Sequence, residues 1–344
     1  MRLRAPVRIV APLLAVGLFA LGACSSGGDT ASSATGSASG SSSAAPTLGP
    51  AVPPATVVAD PVSADQLPTA TGAFGEKPTL TFPSTPPPPS LQRTVLVPGT
   101  GPETVKGDWL VVNYLGQIWN GQVFDNSYDK GTTFALQLGA GSVVPGWETA
   151  LTGVQQGSRV LISLPPADGY GTAGSSGAGI KGTDTIVFVV DVVGVYGANA
   201  AGQTDATPQS APADGPQVTG DLGQKPSITV PAGTAEPTAP TVTVLATGTG
   251  APIKDGKVLS QYVAVTWTGE SAGSTWPDEA AAASGQGGTG PQELPVAAGG
   301  PFEKLVGVPL GSRVLVSIPG QTNAQTGQAQ PAIAAVVDLI AQTS

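Results

Sequence analysis

Apolar and β-branched side chains recur along this chain in short runs, and few of them keep a helical period. Residues 94–97, 109–115, 134–138, 158–164 and 185–193 are alternating or continuous apolar stretches bounded by Gly, Pro and Asp, which predicts strands. One helix is predicted among them, over residues 147–151, because Pro145 and Gly146 favour a helix start. Several antiparallel strands and one short helix make an α+β domain whose sheet closes over the helix.

The pattern then repeats. FGEKP at 74–78 returns as LGQKP at 222–226, TVL with GTG at 94–101 returns at 243–250, GSRVL at 157–161 returns at 311–315, and IVFVVDVV at 186–193 returns as IAAVVDLI at 333–340. Four collinear matches at drifting offsets predict two copies of one fold, over residues 73–197 and 219–344, rather than a solenoid. Between and before them lie stretches that lack the means to bury a core. Residues 24–72 are dominated by Ser, Ala, Gly, Thr, Pro and Val with no Lys or Arg in 25–72, and 198–218 is of the same kind, so both are expected to be disordered linkers. A flexible coil of the first length spans about 40 Å.

The N-terminal apolar run is of another type. Arg2, Arg4 and Arg8 precede thirteen apolar or small residues at 9–21, too few for a spanning helix, and residues 1–23 therefore read as an export signal. The run ends in Leu21-Gly22-Ala23-Cys24-Ser25, which resembles a bacterial lipoprotein lipobox; the resemblance implies acylation of Cys24 and anchoring to the extracytoplasmic face of the cell membrane. Removing the signal takes away three Arg and no acid, which moves the net charge from -9 to -12, so lipid rather than charge must hold the chain at an anionic bilayer.

Composition removes whole classes of chemistry. Without histidine, general base catalysis by imidazole, Ser-His-Asp triads and His-ligated metals are excluded, and with Cys24 as the sole cysteine neither a disulfide framework nor a Cys-rich zinc site can form. Fourteen Lys plus Arg against 23 acids argue against nucleic acid as a partner. No cofactor is expected.

The first copy carries a specific likeness. VVNYLG at 111–116, a Gly-x-x-Phe-Asp-x-Ser element at 121–127, FALQLGAGSVVPGWETAL at 134–151, GSRVLISLPPADGYG at 157–171 and DTIVFVVDVV at 184–193 resemble, in order and spacing, the FKBP family of peptidyl-prolyl cis/trans isomerases. The resemblance implies two FKBP-like domains, each an antiparallel sheet curled around a short helix, in a bacterial, actinobacterial-like lipoprotein. It implies that Trp147 floors a pocket walled by Phe124, Val143, Val144 and Phe188, with Tyr114, Phe134 and Ile180 also lining it. Tyr170 would donate to a substrate carbonyl, and Asp125 would polarise the site or orient Tyr114. Ten of the 17 aromatics fall between Trp109 and Tyr196, and a small domain needs some of them for its core alone. The loop at 172–181 is richer in Gly and Ser than is common in the family, and Ser142 stands where an acid is frequent, a change that bears on macrolide affinity more than on catalysis.

The implied reaction breaks no bond, which suits a chain without histidine. Its partners would be X-Pro segments of exported polypeptides, with a macrolide as a second candidate ligand. A non-catalytic module that captures proline peptides or a small apolar ligand, or acts as a chaperone, is the alternative, while a solute-binding lipoprotein would need a larger two-lobed α/β architecture. In the second copy, alignment on the repeats sets Trp267 opposite Tyr114, Trp276 opposite Phe124, Pro277 or Asp278 opposite Asp125, Pro301 or Phe302 opposite Trp147 and Ala335 opposite Phe188. That copy is expected to be degenerate.

Overall fold

A computed structural model describes residues 54–277, 290–322 and 328–344. Cys24, the signal at 1–23, the linker residues 24–53 and Asp278 lie outside them.

The chain order of the first half is β1 (Thr69–Thr71), β2 (Thr79–Thr81), β3 (Gln92–Val97), β4 (Trp109–Ile118), β5 (Val123–Asn126), β6 (Phe134–Gln137), α1 (Pro145–Ala150), β7 (Arg159–Leu164) and β8 (Ile186–Tyr196). β3 to β8 form one antiparallel sheet in the order β3-β7-β8-β4-β5, with β6 pairing β4 beside β5. Proline at the first helical position starts α1 without losing a needed N–H, and the Leu151 N–H closes its last turn on the Trp147 carbonyl.

The apolar runs of β7 and β8 are continuous because both faces of this sheet are covered. One face carries Val112, Tyr114, Ile162, Phe188 and Val190, packed against Trp147, Ala150 and Leu151 of α1 and its C-cap. The opposite face carries Leu115, Leu161, Val187 and Val189, packed under Leu80, Ala70 and Phe82 of the β1–β2 hairpin. Side chains alternate faces along a strand, so two covers demand two apolar sets and erase the alternation.

The second half runs β9 (Thr207–Pro208), β10 (Gln217–Thr219), β11 (Ser227–Thr229), β12 (Thr241–Thr247), β13 (Gly256–Thr266), β14 (Ser271–Ser274), β15 (Gln292–Val296), β16 (Arg313–Ile318), β17 (Gln321–Thr322), β18 (Ala329–Gln330) and β19 (Ile333–Gln342). Its main sheet has the order β14-β13-β19-β16-β12-β9, with β15 on β13, and the β10–β11 hairpin packs Val218 and Ile228 on its outer face. This is the strand order of the first sheet with β9 added. The helix is not repeated: where α1 stands in the first sheet, the second has a single 3₁₀ turn at Glu303–Leu305.

The segments expected to be disordered are ordered wherever they are described. In 54–72, Ala55 and Val58 pack on the first core and Leu67 is buried. Ala59 N–H donates to Leu91 O and Val62 N–H to the Gln92 side chain, so this stretch is held against the sheet margin. In 198–218, Ala206 is buried and β9 adds to the free edge of β12. Composition misleads here because a few small apolar residues suffice once an existing sheet edge offers unpaired backbone groups.

Equivalence of the two sheets also differs from the sequence alignment. Ser127 Oγ takes the Tyr114 N–H at 2.9 Å, and Thr275 Oγ1 takes the Tyr262 N–H at 2.8 Å, while Gly116 faces Phe188 as Ala264 faces Ala335. Tyr262, not Trp267, is therefore the counterpart of Tyr114. Trp267 sits on the opposite face under the β10–β11 hairpin and donates its indole N–H to Thr234 O at 3.0 Å. By the same register, Phe124 is matched by Ala272 and Asp125 by Gly273, while Trp276 corresponds to Tyr128.

Candidate functional site

The concave face of the first sheet, α1 and the loops around it enclose a cavity of about 420 Å3. Each contributor arrives from a different element. Tyr114 projects from β4, Phe124 and Asp125 from β5, Phe134 from β6, Trp147 from α1 and Phe188 from β8, while Gly141, Ser142, Val143 and Val144 come from the loop that leads into α1 and Tyr170 from the loop after β7.

Of the residues singled out in the sequence, Ile180 alone does not line this cavity. The loop at 175–180 closes on itself through paired backbone hydrogen bonds between Ser175 and Ile180, and this turns the Ile180 side chain into the core, where it is 4% exposed. Gly116, which the sequence marked only as the end of the VVNYLG element, shapes the cavity: a Cβ there would lie 2.7 Å from both Phe124 Cζ and Phe188 Cε1.

The aromatic rings meet edge to face. Trp147 and Phe188 have centroids 5.0 Å apart, Tyr114 and Trp147 5.5 Å, and Phe124 and Phe188 5.6 Å, a geometry in which positive ring edges meet negative ring faces. Trp147 is almost fully buried beneath, whereas Tyr170 and Phe134 are more than one-third exposed at the rim.

One ionised group faces this apolar surround. Tyr114 Oη donates to Asp125 Oδ2 at 2.6 Å, and Lys130 Nζ lies 2.5 Å from Asp125 Oδ1. Partial burial would raise the Asp125 carboxyl, but hydrogen bonds from Lys130 and Tyr114 outweigh it and hold the group below the usual carboxylate range. Burial, reinforced by the hydrogen bond to Asp125 and its charge, pushes the Tyr114 phenol well above its ordinary value. Burial and then the Asp125 charge raise Tyr170 in the same direction. At neutral pH the site thus holds one carboxylate and two neutral phenols, with no proton ready to transfer.

A strap from outside the sheet braces two of these contributors. Ala55 N–H donates to Asp168 Oδ1 at 2.6 Å, and Thr149 Oγ1 donates to Ala55 O at 3.0 Å. Asp168 is buried two residues before Tyr170, and Thr149 is on the helix that carries Trp147. At the matching positions of the second sheet, Ala272, Gly273 and Ala335 replace Phe124, Asp125 and Phe188, so the aromatic and acidic side chains that line the first cavity have no counterparts there.

Comparison with known proteins is consistent with this geometry. Residues 101–193 match the family model described as FKBP-type peptidyl-prolyl cis-trans isomerase. The FK506-binding protein of Streptomyces anulatus is 36% identical over 121 residues, which is 35% of this chain and 98% of that protein. Peptidyl-prolyl cis-trans isomerase FKBP15-1 of Arabidopsis thaliana is 38% identical over 92 residues, 27% of this chain and 60% of that protein. The crystal structure of AtFKBP13 aligns at 30% identity over 31% of this chain and 94% of that one, with a TM-score of 0.29. With nearly the whole of a bacterial relative matched at that identity, this chain belongs to the FKBP-type peptidyl-prolyl cis-trans isomerase family.

Proposed function

We propose that this protein is an exported, lipid-anchored peptidyl-prolyl isomerase, that the cavity of its first sheet is the catalytic site, and that the second sheet is a degenerate FKBP-like domain without one. The observation that carries the reading is an aromatic cavity holding a single fixed carboxylate and no titrating acid or base near neutrality.

Rotation about an X-Pro amide is opposed by roughly 18–20 kcal/mol of lost resonance. A thousandfold acceleration asks for about 4 kcal/mol of preferential binding to the twisted amide. Removing water from the amide disfavours its charge-separated planar form, and one hydrogen bond involving a charged group contributes about 1.5–3 kcal/mol. Trp147 would floor the proline ring, with Phe124, Phe188, Val143 and Val144 as walls, and Tyr170 at the rim would donate to a substrate carbonyl. Asp125, fixed by Lys130, would orient Tyr114 and set the field across the twisting bond. Phe134 completes the rim. An FK506-type macrolide would occupy the same space.

Refolding of a protein limited by X-Pro isomerisation is the test. The full chain is expected to accelerate it, and the Trp147→Ala, Tyr170→Phe double variant to lose that effect while retaining its circular dichroism. Saturable peptide binding with no change in refolding rate would instead select a capture module. Anchoring is tested separately: Cys24→Ser should abolish acyl labelling and release the protein from the membrane.

A further inference from the structure

A second cleft, of about 240 Å3, opens beside the aromatic cavity and shares Tyr114 and Phe134 with it. Its near wall is Lys130, Thr132 and Thr133 of the loop between β5 and β6, and its far wall is Lys257 of β13, Glu293 of β15 and Thr343 just after β19. The walls are held in place by apolar contact below, where Trp109, Val111, Ala135 and Tyr196 meet Leu259, Ile340 and Ala341. Val111 and Leu259 are 4% and 0% exposed there.

The far wall is prearranged. Lys257 Nζ lies 2.8 Å from Glu293 Oε2, and Thr343 Oγ1 donates to Glu293 Oε1 at 2.8 Å. On the near wall Lys130 is engaged by Asp125, whereas the Thr132 and Thr133 hydroxyls take no partner among the described residues. Each lysine is matched by an acid, so the cleft offers hydroxyls and balanced charge rather than a field of one sign.

We propose that this cleft continues the peptide site: a polypeptide with its proline in the aromatic cavity runs past Phe134 into the cleft, where the second sheet helps to hold the polar, uncharged residues that flank the proline. The inference rests on the prolyl reading of the cavity. Continuity through Tyr114 and Phe134 favours a chain that passes from one to the other. The cleft is smaller than the roughly 300–1,000 Å3 of small-molecule sites, which argues against a separate compact ligand. An extended chain must pair its backbone N–H and C=O groups, and unengaged threonine hydroxyls can serve both. The second sheet thereby acts on the reaction of the first.

Two variants of the full chain on exposed side chains test this: Thr132→Trp, which fills the cleft from one wall, and Lys257→Glu, which sets like charge against Glu293 on the other. Each is assayed on an X-Pro tetrapeptide and on a longer peptide with the same core flanked by Ser, Thr and Asn. Wild type is expected to show a several-fold lower KM for the longer peptide at equal kcat, the pattern of uniform binding, and both variants to erase that difference while leaving the tetrapeptide unchanged. Equal KM for the two peptides in wild type, an equal loss on both in the variants, or a stronger preference for acidic or basic flanks would overturn the proposal. Should wild type isomerise neither peptide, the prolyl reading fails instead. The cleft is then judged by anisotropy of the labelled longer peptide, with binding lost in Thr132→Trp supporting it and binding unaffected overturning it.

Discussion

Arg159 reaches from β7 to Asp191 on β8, with Nε 2.6 Å from Oδ1 and the Nη2 nitrogen 2.7 Å from Oδ2, both side chains almost wholly buried. The remaining donors clamp the β1–β2 hairpin through Gly72 O and Glu76 O, while Gly75 N–H and Tyr128 Oη donate to Asp191. Arg313 and Asp338 repeat the pair at 2.6 Å and hold Asp221 O and Gln224 O. Removing one member of such a buried pair leaves an uncompensated charge, so Asp191→Asn is expected to cost about 3–5 kcal/mol. A urea denaturation midpoint measures it. An unchanged midpoint would mean that the hairpin is held by its apolar contacts alone.

Gly116 is required for lack of bulk rather than for backbone freedom, since its φ is not positive. Gly116→Ala is expected to push Phe124 and Phe188 into the cavity at an overpacking cost of about 1–3 kcal/mol, raising KM for proline peptides. Adding Phe124→Leu should restore part of both, which a thermal melt and a peptide titration would show.

The pH dependence follows from opposite shifts of two groups. Asp125 has a lower pKa folded than unfolded, so its contribution to stability is complete above the unfolded value near 3.9 and is lost as pH falls through the folded one. Tyr114 is raised on folding, so its contribution is complete below about 10 and is lost as pH rises toward the folded value. Isomerisation kcat/KM is therefore expected to be flat from about pH 5 to 9, and Lys130→Ala to move the acid edge upward. A pH–rate profile with an inflection near neutrality would show that another titrating group participates.

The strap at Ala55 makes a prediction outside the matched family region. Asp168→Ala removes the acceptor of the Ala55 N–H, and the strap is expected to become open to limited proteolysis between residues 54 and 62, with activity lowered through Tyr170. Resistance equal to wild type would show that the packing of Ala55 and Val58 is sufficient.

Much of the first sheet was legible because strand runs and the start of α1 are local signals, bounded by Gly and Pro. The cavity residues were legible through resemblance rather than spacing, since five elements bring them together and no local period records that. Ile180 stands in the core beneath the cavity rather than in its lining because its loop closes on Ser175, a closure that no local signal records. Trp267 was set against Tyr114 because composition cannot distinguish the two faces of a strand, and a slip of the alignment changes the face. The repeated motifs were visible as letters, but their common purpose was not: Arg159, Asp191 and the FGEKP turn are one buried assembly, and so are Arg313, Asp338 and LGQKP.

That assembly also decides how this protein can be divided. A fragment excised at residues 101–193 would strip the β1–β2 hairpin from Leu161, Val187 and Val189 and leave the Arg159 guanidinium without its carbonyl acceptors. It would lose β3 as well, exposing the edge of β7. The unit that can be transplanted intact therefore includes the Ala55 strap and the β1–β2 hairpin, and of residues 55–196 about a third lies upstream of the family-matched module that a swap between proteins would naturally copy.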